Sequence, residues 1–313
     1  MDFKDFEYKT NEKGTVVTKY TGDDAIVTVP NEINGNKVTA IGEGAFRGCK
    51  FILEVVLPES LTHIGDYAFC ECRGLTEIKL PKTVEVVGNH SFYNCRSLHK
   101  MTMPAGLKYI GDGFIKNCDE INEIILDTAK TISSGVAVFL SEIKEEFCLT
   151  IIDSGVKLIF AEYEYEYITN APAMQCKTVT HGAGIRYRQA LSIKGINFDA
   201  YDNAFSIAVI EERQETIFKI IFTRFSDFQN IKKEYLEKYL QYLKDNIESC
   251  IIYVGKKGNI ELLEMMDKAN IFDSGNIDLG VETAAKTGNS ELSAFMLDIR
   301  LSRFGAKEKS FDL

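Results

Sequence analysis

The chain repeats itself every 23 residues. Ile41, Ile64, Val87 and Ile110 stand at that spacing, as do Phe46, Phe69 and Phe92, with Ile115 in the fourth place. Cys49, Cys72, Cys95 and Cys118 form another column, and Pro58, Pro81 and Pro104 a further one. Val55, Ile78, Met101 and Ile124 recur in the same phase, followed two places on by Leu57, Leu80, Met103 and Leu126. Four copies pass without a slip of register. A fixed period of this length marks a chain wound into stacked coils, each contacting only its neighbours.

Each copy states how its coil is built. Leu75, Ile78 and Leu80 carry the apolar period of a short strand, with Glu77 and Lys79 alternating outward. Pro81 ends that strand's pairing because it has no N–H to donate. Val84 and Val87 turn inward again, Gly65 allows a corner, and Ala68, Phe69 and Cys72 fill the far side. Burying these few side chains does not offset the entropy of ordering a whole coil, so coils must cover one another's open ends.

The string IGxxAFxxCxxLxxIxLPxxV resembles the leucine-rich repeats of the BspA-like kind, over roughly residues 25–126 with weaker echoes to about 160. The fourth copy departs from it. Gly113-Phe114-Ile115 shifts the aromatic by one place, and Asp127 replaces the expected proline. The resemblance implies a binding scaffold. It also implies an alternative role, since that family is associated with bacterial cell-surface adhesion and the binding of host proteins.

Both flanks of the repeats carry patterns of their own. FEYKT and TVVTKY alternate around Asn11-Glu12-Lys13-Gly14, a hairpin signal, and Val27 and Val29 stand where Ile78 and Leu80 stand later. Asn34-Gly35 is a turn pair. Residues 1–40 are therefore expected to cap the solenoid, 41–126 to be its regular repeats, and 127–168 to be divergent repeats. In that last part Ile132 to Leu140, Phe147 to Ile152 and the run from Val156 are expected as strands. Tyr163, Tyr165 and Tyr167 are expected to pack against the next domain. Residues 169–195 are expected as a junction, weakest in pattern from Asn170 to Tyr187.

Residues 196–313 change to a helical period. Ile231, Tyr235, Tyr239 and Tyr242 share a helix face, with Leu236, Leu240 and Leu243 beside them. GKKGNIELLEMM is echoed by AKTGNSELSAFM 30 residues on. In each, Gly (258 or 288) closes one helix and Asn (259 or 289) caps the next, with Glu261 or Glu291 in its first turn. The spacing resembles ankyrin-like helical pairs, without their TPLH motif. Ala204 to Ile210 and Ile217 to Phe225 are expected to add an earlier pair. The fold class is thus α+β: a leucine-rich-repeat β-solenoid with an N-terminal β-hairpin cap, followed by an all-helical domain of stacked helix pairs.

Signals for chemistry are sparse. There is no H-E-x-x-H, G-x-S-x-G or Walker loop, and His63, His90, His99 and His181 lie far apart. No metal site or cofactor is implied; Cys70 and Cys72 make only a C-x-C. The cysteine column is read either as small buried thiols or as a disulfide ladder, whose geometry stacked parallel Cβ vectors fit poorly. A net charge of −10 argues against nucleic acid and anionic membrane as partners. No apolar run approaches a membrane span, and MDFKDFEYKT has no signal core. The location expected from this is cytoplasmic, or the cell surface or outside if a leader was removed.

The expected function is that of a non-catalytic protein–protein interaction scaffold. The expected binding face is the outward side of the strands. One column is Glu54, Glu77, Lys100 and Glu123; the next is Val56, Lys79, Thr102 and Ile125, where two apolar residues stand in place of polar ones. The edge through Thr62, Glu85 and Lys108 is the weaker candidate.

Overall fold

The computed structural model describes residues 4–170 and 175–305, without the side chains of 167–170 and 175–179. It falls into two compact units, Met1–Glu212 and Arg213–Leu313. The first unit takes in the segment 169–195 and the start of the region expected to be the helical domain.

Two sheets, parallel except at their ends, form the walls of the solenoid. The first unit opens with an antiparallel hairpin, β1 (Phe6–Asn11) and β2 (Gly14–Tyr20). Next come β3 (Ile26–Thr28), β4 (Glu32–Ile33) and β5 (Asn36–Ile41), with Asn34 and Gly35 both left-handed in the β4–β5 turn. Each later coil adds one strand to each sheet: β6 (Glu54–Val56) and β7 (His63–Ile64), β8 (Glu77–Lys79) and β9 (Val86–Val87), β10 (Lys100–Met103) and β11 (Tyr109–Ile110), then β12 (Glu123–Leu126). The first sheet runs β1-β2-β5-β7-β9-β11, with β4 at the side. The other runs from β3 through β6, β8, β10 and β12. Register follows the 23-residue period: Ile41 pairs with Ile64, Ile64 with Val87, and Val87 with Ile110.

The interior is the expected one. Ile64, Ala68, Phe69, Cys72, Leu75, Ile78, Leu80 and Val84 are all buried. The rings of Phe46, Phe69 and Phe92 stack at 4.9 and 5.0 Å, matching the roughly 4.8 Å separation of neighbouring strands. Phe114, not Ile115, takes the fourth place, meeting Phe92 edge-on at 5.5 Å. Asp127, in the proline column, accepts a hydrogen bond from the Ala105 N–H at 2.8 Å and so holds the chain to the previous coil. The Gly65 column serves close approach rather than a corner. A Cβ on Gly88 would lie 2.5 Å from the Asp66 nitrogen of the coil before it.

The cysteine column consists of thiols. The Cys72, Cys95 and Cys118 thiols donate to the carbonyls of Phe46, Phe69 and Phe92 at 3.1, 3.1 and 3.0 Å. Cys49, Cys70, Cys72, Cys95, Cys118, Cys148 and Cys250 are all free; the Cys176 side chain lies outside the described residues. Burial raises the Cys72 pKa well above that of an ordinary thiol. The Cys95 thiol is raised first by its hydrogen bond with Cys118 and then by burial. Neither forms a nucleophilic thiolate at neutral pH.

After Leu126 the solenoid ends differently from the expectation. Residues 132–140 do not make a strand: α1 (Ser134–Glu142) forms there, capped by the Ser133 hydroxyl, with Val136, Phe139 and Leu140 buried at helical spacing. Apolar content alone cannot separate a short buried helix from a strand. Phe139 meets Phe114 at 5.2 Å and so covers the end of the aromatic stack. The chain then rejoins the sheet as β13 (Phe147–Ile151), parallel to β12, and β14 (Lys157–Phe160), antiparallel to β13. A hairpin of β15 (Glu164–Asn170) and β16 (Gln175–His181) comes after them. Next come α2 (Gly184–Arg188), the short hairpin of β17 (Leu191–Ser192) and β18 (Gly195–Ile196), and α3 (Phe198–Glu211). Tyr163 is buried, its hydroxyl donating to the Ser141 carbonyl at 2.9 Å, while Tyr165 is partly exposed. The Tyr167 side chain is outside the described residues.

Arg188 closes this end. It is buried, and its guanidinium donates to the carbonyls of Ile143, Glu145, Ala161 and Gly184. The rings of Tyr163, Phe147 and Phe160 lie 4.9, 5.2 and 5.8 Å from it. Burial lowers its pKa to about 10, still charged at neutral pH.

The second unit holds α4 (Gln214–Arg224), a 3₁₀ turn at Phe225–Asn230, α5 (Lys233–Asp245), α6 (Ile247–Lys257), α7 (Glu261–Lys268), α8 (Ile277–Lys286) and α9 (Ser290–Phe304). The 30-residue echo is a pair of helix–turn–helix units, α6–α7 and α8–α9. Gly258 (φ 62°) ends α6, and the Asn259 side chain accepts from the Glu261 N–H at 3.0 Å. Gly288 (φ 72°) follows α8, and Asn289 caps α9 through the Leu292 N–H at 3.0 Å. In α5 the buried stripe is Tyr239 and Leu243.

Urea unfolding of the first unit tests this packing. Phe69→Ala, which empties the middle of the ring stack, is expected to lower stability by about 3–5 kcal/mol. Ser91→Ala is expected to raise it by about 1 kcal/mol, because the Ser91 hydroxyl is buried without a partner among the described residues, at a place the two preceding coils fill with Ala45 and Ala68. Arg188→Met is expected to lower stability by about 3–5 kcal/mol, since it strands four carbonyls that the guanidinium satisfies. A melt unchanged by Arg188→Met would show that those carbonyls find other donors.

Candidate functional site

The eight residues expected to form a binding face do lie side by side. Parallel pairing places Glu54 against Glu77, Glu77 against Lys100, and Lys100 against Glu123. In the neighbouring row Lys79 pairs with Thr102 and Thr102 with Ile125, with Val56 next along from Val55, the partner of Ile78. Alternation sends Val55, Ile78, Met101 and Ile124 into the core and these rows outward. Val56, Glu77 and Lys79 are exposed; Glu54, Lys100, Thr102, Glu123 and Ile125 are half-buried by their neighbours.

All eight except Glu123 line one shallow depression of about 560 Å³. Thr150 and Ile152 extend it past the regular repeats, and Ile152 is 56% exposed. These two were hidden from the sequence because α1 lengthens the last coil. Leu126 pairs with Ile151, 25 residues on, so the column slips by two. At the other edge Ile26, paired with Glu54, is 61% exposed.

The electrostatics of the face are uneven. The Lys100 ammonium stands 3.8 Å from the Glu123 carboxylate, an exposed pair of small worth. Glu54 and Glu77 stand directly opposite one another as like charges, an arrangement that costs stability in a sheet. A cationic group placed over that pair would relieve it.

The face is also small. Seven strands about 4.8 Å apart and about 10 Å long span roughly 300 Å², against about 800 Å² per partner in a stable complex. A tight partner must therefore reach onto flanking loops.

The other candidates are less organised. His63 is exposed in the row that also carries Val86 and Tyr109, and its Nδ1 meets the Thr62 hydroxyl at 2.7 Å. Glu85 and Lys108 form an exposed ion pair at 2.8 Å. His181 pairs with Glu166 at 2.8 Å on its hairpin. Among the described residues no three His, Cys, Asp or Glu side chains converge as metal ligands, and no helix is long and apolar enough to cross a membrane. A second concavity, of about 640 Å³, lies between residues 110–121 and α1. Sequence reasoning missed it, because it exists only where a helix stands in place of a coil.

Comparison with known proteins bears on the repeat half. Residues 29–142 match the family model of the BspA type leucine rich repeat region, in six copies. That span extends beyond the four regular copies on both sides. No curated protein matches the chain. Among solved structures, a leucine rich repeat protein of T. pallidum is 28% identical over 40% of this chain and 71% of its own, with a TM-score of 0.37. One from Bacteroides capillosus is 22% identical over 40% and 96%, at 0.36. A leucine rich cell surface protein of Faecalibacterium prausnitzii is 22% identical over 54% and 56%, at 0.33. Residues 29–142, which make up most of the solenoid, are thus similar to the BspA type leucine rich repeat region.

Proposed function

We propose that this protein is a non-catalytic scaffold that binds another protein through the outward face of β6, β8, β10, β12 and β13. The observation that supports it is the exposure of Val56 at one end of the row and of Ile152, two residues past the Thr150 that continues that row, with Ile125 half-buried between, where a solvated sheet would carry polar side chains. The fixed like-charge pair Glu54–Glu77 adds a preference for a partner that brings Lys or Arg. Leucine-rich repeats generally serve protein interaction, and the buried thiols offer no activated nucleophile. The helix pairs of the second unit, read as ankyrin-like, would supply a further surface of the same kind. Location at the cell surface, with an adhesive role, is the second reading; its support is the family's association alone, and surface proteolysis of intact cells tests it.

Val56→Asp puts a carboxylate beside Glu54 and Glu77 without touching the core. Partner capture by the immobilised full chain is expected to fall at least about tenfold in this variant, with the thermal melt unchanged. Ile252→Asp, an exposed change on α6, is expected to leave capture intact. Undiminished capture by a folded Val56→Asp protein would remove this face from consideration.

A further inference from the structure

Each coil passes three hydrogen bonds to the next through its outer turn. Gly44, Phe46 and Gly48 donate to the carbonyls of Asp66, Ala68 and Cys70 at 2.9, 2.7 and 2.8 Å. Tyr67, Phe69 and Glu71 donate to Asn89, Ser91 and Tyr93 at 2.9, 2.7 and 2.7 Å. His90, Phe92 and Asn94 donate to Asp112, Phe114 and Lys116 at 2.9, 2.9 and 3.0 Å. The next three donors in the series are Gly113, Ile115 and Asn117, and their N–H groups have no acceptor among the described residues. The reason is α1. Where a fifth coil would present the carbonyls of Gly135 and Ala137, those groups lie in a helix and are turned into its own i to i+4 ladder.

The three donors open on the concavity of about 640 Å³, which they help to line. Its other wall is the α1 face of Ser134, Val138 and Glu142, and Val138 is 54% exposed. Apolar ground on its floor comes from Phe114 and Phe139. The rim is acidic: Asp112, Asp119, Glu142 and Glu145 stand against Lys116 and Lys144. Lys144 leans over the Tyr165 ring at 5.7 Å. Donors in a row would otherwise invite an anion, but four carboxylates repel one. A neutral acceptor, the peptide carbonyl, fits both the donors and the field.

We propose that this cleft docks a segment of a partner polypeptide that lies along residues 113–117. The segment offers backbone carbonyls at alternate positions to Gly113, Ile115 and Asn117, sets an apolar side chain against Val138 and Phe139, and carries Lys or Arg at its flanks. This is edge addition, the mode by which an exposed ladder takes up another chain, at the end of a solenoid rather than the side of a sheet. It is separate from the sheet face and does not depend on it. A second copy of the chain fits poorly as occupant. At the opposite end of the ladder, the middle acceptor of the first coil, the Ala45 carbonyl, is already taken by the Tyr20 N–H of the hairpin cap.

The probes are two acetylated and amidated peptides, Lys-Val-Phe-Val-Lys and Glu-Val-Phe-Val-Glu, titrated into the ¹⁵N-labelled full chain. The lysine peptide is expected to move the amide protons of Gly113, Ile115 and Asn117 downfield and slow their exchange, and to bind about tenfold tighter than the glutamate peptide. The double variant Asp119→Lys/Glu142→Lys, confined to the acidic rim, reverses that order. Equal affinity for both peptides, or shifts that avoid these three amides, would overturn the proposal. So would slow exchange of the three amides in the free protein, or protection that grows with protein concentration alone, which would assign the slot to a second copy.

Discussion

Successive coils of this chain approach one another at the separation of paired strands, and that distance governs everything built on it. It brings the rings of Phe46, Phe69 and Phe92 to 4.9 and 5.0 Å, within the range where offset aromatic rings attract. It leaves no room for a side chain in the Gly65, Gly88 and Gly111 column, where a Cβ would meet the neighbouring backbone. It also sets the Cys72, Cys95 and Cys118 thiols within reach of a phenylalanine carbonyl one coil back. None of these contacts exists in a single coil, so the stability of any one copy belongs to its boundary with the next.

The same spacing explains how much of the molecule was legible in its sequence. Periodic residues report a periodic environment, so the strands, the inward columns and the side-by-side placement of the eight outward residues could be read from spacing, and the hairpin from its alternation about a turn. The places where the pattern misled are places where the environment changes. Ile115 kept its number in the period, but Phe114 fills the slot because only an aromatic ring continues the stack. Residues 132–140 kept their apolar content but became helical, since Ser133 supplies a cap and Val136, Phe139 and Leu140 bury one helix face. Thr150 and Ile152 line the same depression as the eight outward residues, yet the insertion of α1 moves them out of phase.

Both ends of the solenoid are finished by other means than a coil. At the start, Tyr20 of the hairpin stacks on Phe46 at 5.4 Å, continuing the ring column outward. At the far end the ring column is continued by Phe139, while Arg188 gathers the carbonyls that irregular chain leaves over. A helix covers apolar surface well but has no mid-helix backbone groups to spare. The helix therefore covers the end of the ring column, while open backbone groups are satisfied only where a side chain such as Arg188 reaches.

The row of sulfurs has a consequence for how the molecule comes apart. Cys72 and Cys95 are fully buried and held as protonated thiols. A thiol-reactive reagent meets one only after the seam beside it has parted, and each sulfur belongs to a different seam. The rates at which the individual sulfurs are modified thus rank the seams by how often they open. The chain carries its own set of gauges for where unwinding begins.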